Sequence, residues 1–327
     1  MEELSGQKVL ITGGLGFIGS NLAQSCHRHG AEVTVFDCLD PRSGGNMHNV
    51  KGILDSIILT LDDVRNFENV CKAVVGQDVI FNCAAYTSHP QSMRDPLVDI
   101  DVNCKGVINV LEAARRFNPG VRLVHVGSST QVGRMTRERV DELHPEFPVD
   151  IYSANKSVSE KYVLIYASAY GMNASVIRLG NVYGPRSYIR SADFGFVNYF
   201  VGLALQGKDL SVFGDGSQLR SITDVDDAVT ALIMAAQDPA AAGEVFFAVS
   251  DCQRTVREIA EAIVQAMGGV VKSIEWPSDR LAIEIGDVIV SNEKIGQALG
   301  WRPQWSLEDG LEATHRYYTE CLNAYLN

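Results

Sequence analysis

The segment Lys8-Val-Leu-Ile-Thr-Gly13-Gly14-Leu15-Gly16-Phe17-Ile18-Gly19 constrains this chain more than any other. A short apolar run cut off by glycines reads as a buried parallel strand entering a tight turn. From 17 to 29 the apolar residues Ile18, Leu22 and Cys26 recur at helical spacing. Glycines let a backbone approach a pyrophosphate, and the amino end of a helix offers unpaired N–H groups and a favourable dipole. The strand–glycine turn–helix order therefore predicts a dinucleotide site on Gly13, Gly16, Phe17, Ile18 and Gly19.

The next apolar run, Glu32–Asp37, ends on an acid 18 residues after Gly19. A carboxylate there accepts hydrogen bonds from the adenosine ribose and repels a 2′-phosphate, which favours NAD over NADP. Arg42 is the nearby cation, and Asp62-Asp63-Val64, after a third run at 56–61, is expected at the adenine edge.

The alternation continues. Val79–Cys83, Arg122–Gly127 and Ala174–Leu179 read as strands, and 98–117 and 152–170 as helices. Strands alternating with helices over this length imply an α/β fold, a Rossmann-type doubly wound parallel sheet. After Gly184-Pro185 loops and short helices (255–267, 306–318) predominate. We expect an NAD-binding domain over 1–180, with 221–250 packing back on it. A smaller, interleaved, mixed α/β substrate-binding subdomain is expected over 181–327.

The 327 residues, 46% of them hydrophobic, suffice for both cores. A net charge of −12 argues against nucleic acid as a partner, because phosphate neutralisation needs clustered Lys and Arg. No run approaches the ~20 apolar residues of a membrane span. Met1–Gln7 is short and polar, unlike a signal peptide, so the cytoplasm is the expected compartment. Cys26, Cys38, Cys71, Cys83, Cys104, Cys252 and Cys321 form no CxxC pair and read as reduced, small hydrophobes. His27 and His29 read as solvated, and no metal is expected.

Tyr152-Ser-Ala-Asn-Lys156 places a phenol and an ammonium on one helix face. A phenol titrates near pH 10 and is a poor base at pH 7. A close ammonium and the positive charge of oxidised nicotinamide both favour the phenolate, and lowering its pKa by ~3 units takes ~4 kcal/mol. Ser128-Ser129-Thr130 lies upstream at the carboxyl end of a strand, the edge where doubly wound sheets bind ligands. A hydroxyl there, from Ser129 or Thr130, can hold a reacting oxygen.

These motifs resemble those of extended short-chain dehydrogenases/reductases, in the nucleotide-sugar epimerase/dehydratase family. Gly13-x-x-Gly16-x-x-Gly19 resembles the cofactor loop, and Asn82-Cys83-Ala84-Ala85 the small-residue loop over the cofactor. Asn103 resembles an asparagine of the following helix, and Arg178-Leu-Gly-Asn181-Val-Tyr183-Gly184-Pro185-Arg186 the RxxNxYGPR segment. Gly214-Asp-Gly-Ser-Gln-Leu-Arg220 with Val225-Asp-Asp227, and Leu299-Gly-Trp301-Arg-Pro303 with Ser306–Leu311, resemble later signatures. The resemblance implies cofactor contacts from Ala84, Ala85, Asn103 and Lys156, the last on the nicotinamide ribose. It implies diphosphate contacts from Asn181, Arg220 and Arg280, since guanidinium forks suit a dianionic linker. His89 lies in a loop that touches cofactor and sugar in the family, and is expected to bind substrate. Phe194 and Phe196 stack on a base or pack internally. A homodimer through helices 98–117 and 152–170 is also implied.

The departures bear on the chemistry. The family reads S-[ST]-x-x-V-Y-G here; this chain reads Ser128-Ser129-Thr130-Gln131-Val132-Gly133. Counting back from Val132 puts Ser129 at the hydroxyl position, with Thr130 and Gln131 where 4,6-dehydratases carry Asp-Glu. Removing water from a sugar needs an acid and a base, and Thr and Gln supply neither. The family's second-site cysteine and decarboxylase glutamate are likewise replaced. The leading expectation is a 4-epimerase of a nucleoside-diphosphate sugar working through a transient 4-keto sugar with NAD. Alternatives are an NAD(P)H-dependent 4-ketoreductase, a dehydratase, or a non-catalytic NAD-binding sensor.

Overall fold

The computed structural model describes residues 4–251, 253–282 and 284–326. Cys252 and residues 1–3 lie outside them. Twelve strands are described: β1 (Lys8–Thr12), β2 (Glu32–Asp37), β3 (Ile58–Leu61), β4 (Val79–Asn82), β5 (Arg122–Ser128), β6 (Ala174–Leu179), β7 (Asn181–Tyr183), β8 (Leu210–Phe213), β9 (Leu219–Asp224), β10 (Val245–Ala248), β11 (Gln253–Thr255) and β12 (Val271–Ile274).

The large sheet runs β10-β6-β5-β4-β1-β2-β3 and is parallel throughout. Its central strands are apolar on both faces because helices cover both. One face packs on Phe17–Arg28 and Val225–Gln237, the other on Phe67–Val74, Val107–Phe117 and Ile151–Tyr170. Phe81 and Phe246 are fully buried, each contributing about 2–3 kcal/mol. Chain order reverses between β1 and β4, so the loops after these strands diverge and open a crevice at their carboxyl ends.

The sequence places one helix over 98–117. The structure interrupts it: Pro96–Ile100 and Val107–Phe117 flank a π-helical turn at Asp101–Gly106. A Cβ on Gly106 would lie 2.8 Å from the Val64 side chain, so the turn packs on the loop after β3.

After β6 the chain builds two small sheets. In β11-β9-β7 the β7–β9 pair is parallel and the β9–β11 pair antiparallel; β12-β8 is parallel. Helices Phe196–Leu205, Val256–Met267 and Leu307–Cys321 share a separate core with them. Between these pieces, Val225–Gln237 and β10 return to the large sheet. The Asp227 carboxylate accepts the backbone N–H groups of Gln304 (2.9 Å) and Trp305 (3.1 Å), and Trp301 Nε1 donates to the Asp227 carbonyl. That contact joins the carboxyl-terminal signature to the Val225-Asp-Asp227 signature.

Candidate active site

A cleft of about 850 Å³ runs along the carboxyl ends of β1, β2, β4, β5 and β6 and on to the small sheets. Its first half is built by the glycine loop. Gly13 has φ +67°, and a Cβ there would lie 2.8 Å from the Ala84 backbone, so only glycine lets the two loops meet. Gly16 caps the helix Phe17–Arg28 with no side-chain oxygen. The first N–H groups therefore remain for an anion, and Gly13, Gly16, Phe17, Ile18 and Gly19 all line the cleft.

Asp37 lines the cleft and accepts the N–H groups of Leu15 (3.0 Å) and Leu39 (2.8 Å). Burial pushes its carboxyl up, and these bonds oppose the shift. Asp62, Asp63, Val64, Ala84 and Ala85 also line this half. Arg42 is bound to Asp40 at 2.9 Å and Arg65 to Asp63 at 2.6 Å. The cations at this end are thus committed to carboxylates, an arrangement suited to NAD without a 2′-phosphate. Asn103 is placed differently from the expectation. Its amide bonds the Tyr86 backbone in both directions and the Asp99 carboxylate, and it does not line the cleft. It holds the loop after β4 from behind.

In the middle of the cleft the helix Ile151–Tyr170 presents Tyr152 and Lys156, with Asp150 as its cap, accepting from Ser153 N–H at 2.8 Å. Lys156 Nζ donates to the Val126 carbonyl at 2.5 Å, and burial lowers it to about 8. Behind it runs a buried polar chain: Thr12 Oγ1 to Asn82 Oδ1 (2.7 Å), Asn82 Nδ2 to His125 Nδ1 (3.2 Å), and His125 Nε2 3.5 Å from Lys156 Nζ. Burial holds His125 neutral, and Lys156 adds to this effect.

One expectation is corrected here. Ser128 and Thr130, not Ser129, line the cleft; the Ser129 hydroxyl turns toward Gly180. The alternation of β5 ends at Ser128, and a 3₁₀ turn begins at Ser129, which rotates its side chain away. The Ser128 hydroxyl stands with the Tyr152 phenol in the cleft. Burial pushes the phenol up, and Ser128 offsets only part of that shift.

Gly133, the departure from the family's tyrosine, has φ +64°, and a Cβ there would collide with the Phe147 carbonyl. Gln131 is fully buried and faces away from the cleft, donating to Glu160 and Glu146.

The second half of the cleft holds Asn181, Arg220 and Arg280. Arg220 pairs with Glu284 at 2.9 Å and Arg280 with Asp193 at 2.7 Å. Phe213 and Trp276 line it as a tilted pair 5.1 Å apart; Phe194 packs on Tyr188, and Phe196 on Phe200. His89 lines the cleft, with Nδ1 2.8 Å from Asp150 Oδ2 and its ring edge-on to Tyr152 at 4.9 Å. Among residues the sequence reading passed over, Asp150 carried a readable signal, an acid just before a helix. His125, Trp276 and Glu284 carried none. Among the described residues no three His, Cys, Asp or Glu side chains could hold a metal ion, and no helix is long and apolar enough to cross a membrane.

Fold and site together define an NAD-dependent enzyme of the extended short-chain dehydrogenase/reductase class. The chain belongs to the NAD dependent epimerase/dehydratase family, which it matches over residues 9–247. It is 32% identical to a UDP-glucose 4-epimerase of Mycolicibacterium smegmatis, over 95% of this chain and 98% of that one. It is 30% identical to a UDP-N-acetyl-alpha-D-glucosaminuronate decarboxylase of Bacillus cytotoxicus, over 97% and 99%. Among solved structures it is similar to the Thermus thermophilus UDP-glucose 4-epimerase complex with NAD, with a TM-score of 0.85 and 29% identity over 96% and 99% of the two chains. NAD is its cofactor.

Proposed function

We infer that the protein epimerises a nucleoside-diphosphate sugar at C4 through a transient 4-keto sugar. The observation that carries this reading is the set of groups around Tyr152. Gln131 is turned into the Glu146–Glu160 cluster, Thr130 offers only a hydroxyl, and the Asp150 carboxylate is engaged by Ser153 and His89. Tyr152 and two hydroxyls suffice for reversible oxidation at one carbon, whereas elimination of water needs a dedicated acid as well.

Bound NAD would accept and return a hydride. Tyr152 takes the sugar hydroxyl proton and gives it back. Ser128 and Thr130 hold the reacting oxygen, the role expected of Ser129 or Thr130. Lys156 holds the nicotinamide ribose and keeps a cation near the phenol. Gly13, Gly16, Phe17, Ile18 and Gly19 bind the pyrophosphate, Asp37 the ribose, and Asp62, Asp63, Val64, Ala84 and Ala85 enclose the adenosine end. Asn181, Arg220 and Arg280 hold the sugar diphosphate, and His89 faces the sugar. The resemblance to a UDP-glucose 4-epimerase supports a UDP-hexose as the first substrate to offer.

Residues 181–327 then form the substrate-binding subdomain, less the segment returned to the large sheet. Met93, Leu97, Ile100, Val158 and Ile165, exposed on Ile151–Tyr170 and the helical segments before it, suit a homodimer interface. The six described cysteines are unpaired, which suits the cytoplasm.

The test is to release and identify dinucleotide from the purified protein, then to offer UDP-, GDP-, CDP- and dTDP-hexoses without added cofactor. Retained NAD with interconversion of two stereoisomers supports the reading. Turnover of 4-keto sugars only with added NADH or NADPH would replace it with a ketoreductase.

A further inference from the structure

A buried line of hydrogen bonds runs from the loop after β4 to the back of Lys156, and its direction is fixed. The Ala84 backbone N–H donates to Thr12 Oγ1 at 3.3 Å, and the Thr12 hydroxyl donates to Asn82 Oδ1 at 2.7 Å. Asn82 Nδ2 lies 3.2 Å from His125 Nδ1. Turning the Asn82 amide over would leave the Thr12 hydroxyl proton without an acceptor among the described residues. Asn82 Nδ2 is therefore the donor and His125 Nδ1 the acceptor. His125 is fully buried and neutral, so its single ring proton sits on Nε2. Ser159 Oγ lies 3.4 Å from that nitrogen and can accept from it, since its own proton goes to the Lys156 carbonyl at 3.0 Å.

Lys156 Nζ lies 3.5 Å from the same Nε2. An ammonium has three donors and no acceptor. One is taken by the Val126 carbonyl at 2.5 Å. A ring nitrogen that accepted would draw off a second. We propose that His125 is a positioning residue for Lys156: fixed as the Nε2–H tautomer by Thr12 and Asn82, it faces Nζ with a donor and leaves two ammonium N–H groups for the cleft, where the paired hydroxyls of the nicotinamide ribose would take them. Two donors facing each other also disfavour the charged amine, so the same contact helps set the pH at which Lys156 gives up its proton. Burial already lowers Lys156 to about 8, and the His125 contact acts in the same direction. The other titratable groups around Lys156 are Cys83 after β4, Asp99 and Cys104 on the segments before Val107–Phe117, and Tyr152 and Glu160 on its own helix. Asp99 accepts from Asn103 and Asn155, and Glu160 from Arg178, so these carboxylates are held without His125. The inference rests on NAD as the cofactor and on Lys156 at its ribose, and not on which sugar is bound.

The experiment uses NAD-loaded protein without sugar, isotopically labelled at the histidine ring nitrogens for magnetic resonance. The His125 signals are those lost in His125→Gln. The unaltered protein is expected to show Nε2 protonated and Nδ1 bare. Thr12→Val removes the hydroxyl that orients Asn82, so the amide can turn over. Asn82→Asp offers His125 Nδ1 an acceptor outright. Both variants are expected to move the ring proton to Nδ1 and make Nε2 an acceptor for the ammonium. Calorimetry on protein stripped of NAD then reads the consequence. In both variants NAD affinity at pH 7 is expected to fall severalfold. The pH at which affinity declines as Lys156 loses its proton is expected to rise by about one unit, because the charged amine has gained an acceptor. A proton on Nδ1 in the unaltered protein, a tautomer that neither variant moves, or a reversed tautomer that leaves either NAD measurement unchanged would each overturn the inference. Because no sugar is present, its failure leaves the epimerase reading standing. The expected tautomers with no sugar interconversion would do the reverse.

Discussion

The Gln131 side-chain nitrogen lies 2.9 Å from a Glu160 carboxylate oxygen, inside a charge cluster that faces away from the cleft. Arg178 neutralises the cluster with Nε and Nη2 on Glu160, at 2.7 and 2.6 Å, and packs over the Phe247 ring. The residue at the dehydratase glutamate position is therefore a structural donor. Gln131→Glu would place a third carboxyl against Glu146 and Glu160. We expect a loss of about 2–4 kcal/mol in thermal or denaturant unfolding, with no dehydrated sugar detectable by mass spectrometry. Unimpaired stability together with a product lighter by one water would contradict both the placement and the chemistry.

Lys156 gives a prediction with a definite pH sign. Burial lowers it from 10.5 to about 8 in the folded protein. Between about 8 and 10.5 the unfolded chain holds the proton that the folded chain has released, so stability rises with pH across that window. Below about 8 the full penalty of a buried ammonium remains. Lys156→Met should stabilise NAD-free protein at pH 7 by about 2–3 kcal/mol, a gain that shrinks toward pH 10.5, while abolishing turnover. Paired urea titrations at several pH values measure it; a gain that grows with pH would refute the assignment.

The Arg220–Glu284 and Arg280–Asp193 pairs occupy the diphosphate site proposed above. On that reading a nucleotide displaces carboxylates from both guanidinium groups. Glu284→Gln is expected to tighten UDP binding severalfold by calorimetry. Arg220→Ala should weaken it by about 30-fold, with retained NAD unchanged. Equal affinities in the two variants would remove Arg220 from the substrate site.

Leu97 and Ile165 are more than half exposed, on the helical segments expected to meet a second copy. Replacing both with Glu should convert a dimer to a monomer in analytical ultracentrifugation, because charge on an apolar interface opposes its burial. An unaltered sedimentation coefficient would place any interface elsewhere.

Much of this site was legible without coordinates, and the reason is locality. The glycine turn, the acid ending β2 and the Tyr152–Lys156 spacing are defined by neighbours within one strand, turn or helix. Repeating apolar positions likewise revealed the parallel sheet, because strands covered on both faces are continuously apolar. The short strands after Asn181 were not legible, since three or four residues carry no usable period.

Within the site, the amino-acid sequence alone determined which chemistry-bearing residues are available and that a phenol and an ammonium share a helix face. Only the tertiary structure decided that Ser128 rather than Ser129 stands with Tyr152 in the cleft, because that depends on where β5 gives way to a 3₁₀ turn. It alone decided that Asn103 serves a loop, that Gln131 is drawn into a carboxylate cluster, and that His89 meets an aspartate 61 residues away. Burial and hydrogen bonds between residues far apart in the chain set these outcomes, and no local pattern encodes either.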